Sequence, residues 1–229
     1  MDETMKLKAL ESVLKYTFTD TNLLRLAMTH SSYAHEYLED TGFYNERIEF
    51  LGDAVLELAI SNMLYHTMKG QEGDLSRRRA QIVCEPSLAY VARALGLGPF
   101  LNLSHGEDKN GGRNRDSILS DFVEALIGAL YLDGGYETAL SFIEREILSR
   151  LSEIDAHTEQ DYKTLLQETV QADHLSPVYT LIGEDGPPHD RVFTMQVSIE
   201  DKVLGVGTGR SKKAAEQHAA RKALKKINV

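Results

Sequence analysis

The hydrophobic positions of the chain follow a helical period over its first two thirds. Apolar residues recur every three or four positions, and Gly-rich or polar breaks separate the periodic stretches. The pattern predicts helices at 5–18, 21–28, 45–68, 74–83, 86–95, 116–132 and 136–152. No alternating pattern typical of a strand precedes residue 150, so we predict an all-α domain over residues 1–150.

The last third of the chain follows a different pattern. Residues 151–160 turn polar and lose the helical period, which predicts a linker before a second domain at 161–229. The predicted elements of that domain are a helix at 161–172, strands at 178–184, 192–199 and 203–209, and a final helix that Ser211 caps. Ala215, Ala219 and Ala223 recur every fourth position and give this last helix a face for close packing on the sheet. The pattern alone supports a small α+β domain with the order α-β-β-β-α.

Three acids share one face of the predicted helix at 45–68. Glu46, Glu49 and Asp53 follow one another at i, i+3 and i+7, so they fall within an arc of roughly 60°. The other positions are mostly apolar, which is typical of a buried helix. Buried carboxylates are costly unless a positive charge neutralises them, so this face requires a cation. The common alternative, a solvated face of an amphipathic helix, fits so narrow a polar arc less well.

The predicted helix at 116–132 carries a second narrow acidic face. Asp121 and Glu124 are spaced i, i+3, and Gly128 leaves room beside them one turn later. Two buried helices with facing acidic stripes can form a site lined only by oxygen ligands. Because hard divalent cations such as Mg²⁺ and Mn²⁺ prefer oxygen, we predict a metal site between these helices.

Composition and charge describe a globular protein with an uneven charge distribution. Hydrophobic residues make up 42% and charged residues 26% of the chain. The net charge is −10, yet the segment from Lys202 to Val229 carries 8 basic residues and 1 acidic residue. Positive charge therefore collects at one end of the chain, and that end is compatible with a nucleic-acid partner.

The single cysteine and the hydropathy pattern indicate a cytoplasmic protein. Cys84 alone excludes an intrachain disulfide and a Cys-based zinc site. The start, MDETMKLKALESVLKYTF, lacks the apolar stretch of a secretory signal, and no run approaches 18 uninterrupted apolar residues. We therefore expect no membrane partner.

Three motifs in series resemble a known enzyme family. They are NERIEFLGDAVLELAI (45–60), EGDLSRRRAQIV (72–83) and DSILSDFVEALIGALYLDGG (116–135), and they resemble the motifs of bacterial ribonuclease III in the same order. The match runs from about Tyr16 to the C-terminus. The α-β-β-β-α order of the second domain, with GPPHD and GRSKKAAEQHAARKAL, resembles the double-stranded-RNA-binding domain.

The resemblance implies a function for the first domain. Such enzymes hydrolyse double-stranded RNA, process ribosomal and other structured RNA precursors, and leave 5′-phosphates and short 3′ overhangs. Glu49, Asp53, Asp121 and Glu124 match the metal ligands, which implies two Mg²⁺ ions per active site, with Mn²⁺ as a substitute and no organic cofactor. Glu46 and Glu72 also match family acids, with substrate-positioning or outer roles.

The resemblance also implies partners. It predicts a homodimer in which each subunit cuts one strand, and Phe50 matches a position at the dimer contact, although an ordinary core Phe remains the alternative. In the second domain, the matched positions include an acid, Glu216, where many such domains have a basic residue, and this departure puts the strength of the phosphate clamp in doubt. The matched RNA-binding positions are Thr164, Gln167, Glu168, Pro188, His189, Arg210, Lys212 and Lys213.

Several alternatives stay open on the sequence alone. One is a catalytically silent duplex-RNA binder, although such a protein is expected to lack one of the ligand acids. Another is an all-α metal-dependent phosphohydrolase of small molecules, against which the C-terminal domain argues. His30 is either a hydrogen-bonded structural residue, the more common case, or part of the chemistry. The polar loop 106–115, with Lys109, Arg113 and Arg115, is either a connector or a phosphate contact.

Overall fold

The structure, a computed structural model, describes residues 2–39, 42–157, 162–171, 175–187, 191–200 and 202–227. Its contacts divide the chain into two compact units, residues 1–159 and 160–229, and each is treated by itself below. Within the described part of the chain, none of the helices combines the length and the hydropathy that crossing a bilayer requires.

The first unit is all-α, as predicted. Its helices are α1 (Glu3–Leu14), α2 (Thr21–Met28), α3 (Ser31–Tyr37), α4 (Glu46–Thr67), α5 (Glu72–Val83), α6 (Glu85–Ala94), α7 (His105–Lys109), α8 (Asp116–Gly134), α9 (Tyr136–Glu146) and α10 (Leu151–His157). Short 3₁₀ turns lie at Gly98–Phe100, Gly112–Asn114 and Leu148–Arg150. Two of the short helices, α3 and α7, were not predicted, because their few residues carry too little periodicity.

The long helices α4 and α8 pack against each other at the centre of this unit. A Cβ atom added to Gly52 would lie 1.8 Å from the carbonyl oxygen of Glu124, and one added to Gly128 would lie 2.2 Å from that of Ile48. The two backbones therefore touch at a pair of glycines, where any side chain would separate them. This close approach brings the acidic face of α4 against the acidic face of α8.

The expectation that α4 is buried on most sides is wrong for one face. Ile48, Leu56 and Ile60 are buried in the core. Phe50, however, is 78% exposed, and Leu58 and Tyr65 are 58% and 75% exposed. A helical period does not show whether an apolar face packs in the core of its own chain or against another chain. The sequence pattern therefore did not distinguish the buried face of α4 from the exposed face that carries Phe50. The alternative that Phe50 is an ordinary core residue is also wrong.

The segment expected to be a linker begins with a helix that belongs to the first unit. Ile154 of α10 is fully buried in the first core. Arg78 of α5 makes two hydrogen bonds to the carboxylate of Asp155, at 2.7 and 2.8 Å, and Tyr90 of α6 donates to Glu153 at 2.9 Å. The buried Ile154 and the polar contacts of Glu153 and Asp155 hold α10. Its sequence looks like a polar connector because, among the side chains that the structure describes, only one apolar residue of this helix is buried.

The polar loop at 106–115 is tied to the protein rather than open. The Arg113 guanidinium donates to the Asp108 carboxylate at 2.8 and 3.0 Å and to the carbonyl of Leu101 at 2.8 Å. Arg115 pairs with Glu107 at 2.6 Å. These contacts favour the connector interpretation for both arginines, while Lys109 is exposed.

The second unit has the predicted α-β-β-β-α order. It comprises α11 (Tyr162–Gln171), β1 (Val178–Asp185), β2 (Val192–Ile199), β3 (Lys202–Gly209) and α12 (Lys212–Ile227), and the antiparallel sheet has the order β1-β2-β3. The hydroxyl of Ser211 caps α12 by accepting from the amide of Ala214 at 3.1 Å. Ala219 packs so closely on β3 that a Cβ on Gly205 would lie 2.1 Å from its carbonyl oxygen. The small-residue face of α12 therefore lies on the sheet, as predicted.

Candidate nuclease site and RNA-binding surface

Three carboxylates from two helices form the candidate site. Glu49 of α4 and Asp121 and Glu124 of α8 each offer an oxygen, and these oxygens all lie within 4.8 Å of one another. All three side chains are partly buried. We call these three residues the carboxylate cluster. Its donors are oxygen only, which is the set that hard divalent cations prefer.

Burial and mutual repulsion disfavour the charged forms of the cluster. Burial, then the charges of Asp53, Glu49 and Asp121, raise the pKa of Glu124 from 4.5 to about 8. Burial, then the charges of Asp121, Glu46 and Asp53, raise the pKa of Glu49 from 4.5 to about 7. Burial also raises the pKa of Asp121. A bound cation would reverse this cost, so the donor set fits a divalent metal ion.

The two other acids of α4 border the cluster without belonging to it. Asp53 lies outside the group of three, yet its charge is the largest charge effect on Glu124. Glu46 is exposed, and its charge raises the pKa values of both Glu49 and Asp121. The structure thus brings together three of the four acids expected as ligands and places the fourth beside them.

Two charged residues near Asp53 were missed in the sequence. The negative charge of Glu57 raises the pKa of Asp53, after the larger effect of burial, while the positive charge of Arg79 lowers it. Arg79 of α5 also donates to the hydroxyl of Ser61 at 2.9 Å. Glu57 follows Asp53 by one helical turn, so extending the acidic face by four residues would have found it. No spacing rule signals Arg79, because it comes from another helix.

Glu72 lines a pocket outside the carboxylate cluster. Its carboxylate accepts a hydrogen bond from the Ser76 hydroxyl at 2.8 Å, and it lines a shallow pocket together with Ser61, Tyr65 and Arg79. Among the described residues, it does not join the carboxylate cluster. A direct role of Glu72 in one chain's cluster is therefore not supported by this geometry.

The raised pKa values predict how the metal-free protein responds to pH. Glu49 and Glu124 hold protons when folded that the unfolded chain loses near pH 4.5. The contribution of these two groups to folding stability is therefore fully present below their unfolded-state pKa. It is lost as the pH rises through their folded-state pKa values of about 7 and about 8. In EDTA, we expect a lower melting temperature at about pH 8 than at about pH 6, and Mg²⁺ should raise it mainly at the higher pH.

A melting series with and without Mg²⁺ checks this prediction. The matched variant is Glu124→Gln, which removes one of the titrating groups and should flatten the pH dependence in EDTA. A melting temperature in EDTA that rises between these two pH values would contradict the coupling of cluster ionisation to folding.

The candidate RNA-binding residues lie mostly at the surface of the second unit. Thr164 of α11 is exposed and Gln167 is half-buried, while Arg210 and the first two residues of α12, Lys212 and Lys213, are exposed. The Lys212 ammonium also lies 6.0 Å from the centre of the Phe193 ring. The side chain of Glu168 and the loop residues Pro188 and His189 are outside the described residues.

The acid at position 216 has a local partner. The carboxylate of Glu216 on α12 accepts from the Lys163 ammonium of α11 at 2.6 Å, and that ammonium lies 4.8 Å from the centre of the Tyr179 ring. Glu216 is half-buried in this arrangement. The unusual acid thus links the two helices of the unit, and its charge is balanced within the unit.

Two family models match the chain. Residues 20–151 match the model of the ribonuclease-III-like domain, and residues 162–227 match that of the double-stranded RNA binding motif. Ribonuclease 3 of Caldanaerobacter subterraneus subsp. tengcongensis is 49% identical over 96% of this chain and 97% of its own length. Ribonuclease 3 of Halalkalibacterium halodurans is 48% identical over 92% of this chain and 81% of its own length.

A solved structure agrees with the sequence matches. The nuclease domain of ribonuclease III from Campylobacter jejuni superposes with a TM-score of 0.58 at 45% identity, and the match covers 64% of this chain and 97% of that one. The helical unit with its three-carboxylate cluster is that of an endonuclease. The α-β-β-β-α unit that follows it is an RNA-binding module. The chain belongs to the ribonuclease III family.

Proposed function

We propose that the first unit hydrolyses phosphodiester bonds of double-stranded RNA at the carboxylate cluster, while the second unit holds the duplex. The chain is a double-stranded-RNA-specific endoribonuclease, and nothing in its sequence indicates a catalytically silent relative. The observation that carries this proposal is the meeting of Glu49, Asp121 and Glu124 within 4.8 Å inside a ribonuclease-III-like domain. A small-molecule phosphohydrolase would have no use for the RNA-binding motif that follows.

We further propose that the cluster holds Mg²⁺, with Mn²⁺ as a substitute, and that Asp53 completes the ligand set. Two divalent cations bound by such carboxylates would activate the attacking water and stabilise charge on the leaving oxygen. The chain's part is to hold these acids in place, while the bound cations would favour the ionised forms that burial disfavours. Burial and the charge of Glu57 raise the pKa of Asp53, and the positive charge of Arg79 opposes part of this rise. Glu46 and Glu72 are proposed to act outside the ligand set, on the substrate.

We propose that the chain forms a homodimer through the exposed apolar face of α4. Phe50, Ala54, Leu58 and Tyr65 are exposed along that helix. Beside them lies a pocket of about 390 Å³ whose lining includes Leu51 and Leu132. Large exposed apolar side chains that lie together mark interaction surfaces. The Campylobacter jejuni nuclease domain has a region involved in dimer formation, and a paired site would cut both strands of the duplex.

We propose that the second unit binds the duplex through the first turn of α12, through α11, and through Pro188, His189 and Arg210. Lys212 and Lys213 occupy the first turn of α12, where the helix dipole is itself positive. Two cations at a positive helix end favour an anion such as an RNA phosphate. Thr164, Gln167 and Glu168 of α11, with Pro188, His189 and Arg210, are proposed to contact minor grooves and the backbone, which such domains recognise by shape.

Replacing Lys212 and Lys213 together with Ala should weaken duplex binding in a salt-dependent way. Each lost phosphate contact lowers the slope of log K against log salt by about 1, so the slope should fall by about 2. Binding isotherms at several salt concentrations measure this slope. The control is the double replacement of Lys225 and Lys226, which lie in the last turn of the same helix. An equal slope for both double variants would show that Lys212 and Lys213 are only surface residues.

The proposed activity is tested with matched duplex and single-stranded RNA. We expect the duplex to be cut in Mg²⁺ and left intact in EDTA, and the single strand to stay intact in both. Equal cutting of the duplex and the single strand would reject the proposed activity.

We also propose that the products carry 5′-phosphates and short 3′ overhangs, that natural substrates include ribosomal RNA precursors, and that the protein acts in the cytoplasm. We further propose that the boundary between the two domains follows α10, where the contacts divide the chain between residues 159 and 160.

A further inference from the structure

The first unit contains a cavity of about 410 Å³ that neither proposed site uses. Its lining residues come from α1, α2 and α3 and from the segments around Phe43 and Asn102. None of these lining residues belongs to the carboxylate cluster or to the matched RNA-binding positions. Sites for small molecules have volumes of about 300–1,000 Å³, so this cavity is large enough to hold a small organic ligand.

Hydrogen bonds between two distant segments fix the backbone at one wall of the cavity. Thr29 and Asn102 form an isolated parallel bridge. The Asn102 amide donates to the carbonyl of Met28 at 2.8 Å, and the Asn102 carbonyl accepts from the amide of His30 at 3.1 Å. Met28, Thr29 and Asn102 all line the cavity. Because this wall is already ordered, a ligand would not have to immobilise it, which lowers the cost of binding.

The polar side chains of the cavity are mainly hydrogen-bond donors. The ammonium of Lys6 donates to Oδ1 of Asn102 at 2.7 Å. The guanidinium of Arg25 pairs with Glu3 at 3.1 Å and donates to Asn22 at 3.3 Å. Both cations carry more N–H groups than these bonds use, and the side-chain nitrogen of Asn102 is a further donor. This surplus of donors favours a ligand that is rich in acceptor oxygens.

The charges at the cavity favour an anionic ligand. Burial, then the positive charge of Arg113, lower the pKa of Lys6 from 10.5 to about 8, although the charges of Glu3 and Asp108 oppose this shift. The side chain of Glu3 is 66% exposed, so solvent weakens its attraction for the two cations of the cavity. An anion beside Lys6 would stabilise its charged form. Lys and Arg both bind phosphate groups, which supply the charge and the acceptor oxygens together.

The remaining lining residues form an apolar and aromatic surface. Met28 is buried, and Tyr33, Leu38 and Phe43 are half-buried. The ring of Tyr33 packs on that of Tyr37 with the ring centres 4.9 Å apart, which holds it in place. Aromatic side chains are common in small-molecule sites, and they stack with other flat rings. The lining therefore suits a ligand that carries a flat ring beside its anionic group.

We propose that this cavity binds a nucleoside monophosphate. The phosphate accepts hydrogen bonds from Lys6, Arg25 and the side-chain nitrogen of Asn102, and the base packs against Tyr33 and Phe43. Inorganic phosphate would leave the aromatic rings without a partner, and a nucleoside without phosphate would leave the two cations without an anion. We therefore expect both parts of the ligand to contribute to its affinity.

Titration calorimetry of the full-length protein with AMP, GMP, CMP and UMP tests the proposal. EDTA is present throughout, so that the phosphate cannot bind through a metal ion at the carboxylate cluster. We expect at least one monophosphate to bind with a Kd below about 1 mM. Inorganic phosphate and the matching nucleoside should each bind at least about tenfold more weakly. Binding of none of the four below about 1 mM, or equal binding of inorganic phosphate, would overturn the proposal.

Three matched variants locate the bound nucleotide. Arg25→Gln should weaken binding about tenfold, because it removes a charged donor to the phosphate. Glu3→Gln should strengthen binding by about 2–5-fold, because it removes the acid that competes for Arg25. The control is Lys8→Gln, which changes the net charge as Arg25→Gln does, at an exposed residue of α1 outside the lining, and should bind normally.

The order of these affinities decides the inference. Equal affinities of Arg25→Gln and Lys8→Gln would place the nucleotide elsewhere on the protein and overturn the proposal. Weaker binding by Glu3→Gln would also overturn it, because an acid beside a phosphate site must oppose binding. Melting curves of all three variants show whether they fold. If Arg25→Gln does not fold, the direction of the Glu3→Gln effect decides the proposal alone.

Discussion

Glu124→Gln is expected to abolish cleavage of duplex RNA in Mg²⁺ while duplex binding stays within a few-fold of the unsubstituted protein. Glu124 contributes one of three oxygens that lie within 4.8 Å, so its loss breaks the proposed metal site. Metal ions stabilise the transition state by several kcal/mol, and the rate should therefore fall by about 10³-fold or more. Binding should survive because the second unit supplies its own contacts to the duplex.

The same variant should not melt below the unsubstituted protein in EDTA. The charges of Asp53, Glu49 and Asp121 all act against ionised Glu124, so the neutral amide relieves repulsion in the metal-free state. The matched control is Glu144→Gln, which removes one exposed acid from α9 outside the cluster and should cleave normally. Cleavage assays, filter binding and melting curves together measure these effects. Normal cleavage by Glu124→Gln would remove it from the site, and lost helicity would show a structural role.

Phe50→Lys is expected to convert the proposed dimer into a monomer. Phe50 is 78% exposed on the single chain, so the free subunit can accept the change without strain in its core. In a twofold interface each substitution acts twice. Losing a buried Phe and burying a charge costs roughly 3 kcal/mol at each copy, or about 6 kcal/mol in total, which raises Kd about 10⁴-fold.

Sedimentation equilibrium over a range of protein concentrations measures this Kd. The control is Met5→Lys, which places the same charge on an exposed apolar residue of a different helix, α1. The control should sediment and melt like the unsubstituted protein. Phe50→Lys should melt at a lower temperature, because it loses the stabilisation that its partner supplies, and should keep its helical content. A Phe50→Lys protein that remains as strongly dimeric as the control would exclude the exposed face of α4 as the interface.

The sequence predicted the elements that have a strong period and the acids that follow it. The α4 and α8 helices, the three strands and the cap of α12 by Ser211 all lie close to where the pattern placed them. Acidic spacing on two helices indicated Glu49, Asp121 and Glu124 together with Glu46 and Asp53, because residues on one helical face must stay together wherever the helix packs. The resemblance to a family then implied which of these acids are ligands, and it included Asp53, which lies outside the cluster.

The parts that the sequence did not predict depend on contacts between distant segments. Arg79 acts on Asp53 from another helix, and Asp155 holds α10 through Arg78, so neither contact follows from spacing within one element. The exposure of Phe50 was hidden for a related reason. Apolar residues look the same in a sequence whether they pack in the core of their own chain or against a partner.

The central claim is that divalent cations bind at the carboxylate cluster, and the positions of bound Mn²⁺ test it most directly. Anomalous diffraction from crystals of the full-length protein grown with Mn²⁺ locates the ion by its own scattering. We predict anomalous peaks within coordination distance of Glu49, Asp121 and Glu124, and no such peaks in Glu124→Gln crystals grown in the same way. Mn²⁺ peaks found only elsewhere on the protein, or unchanged peaks in the variant, would contradict the account.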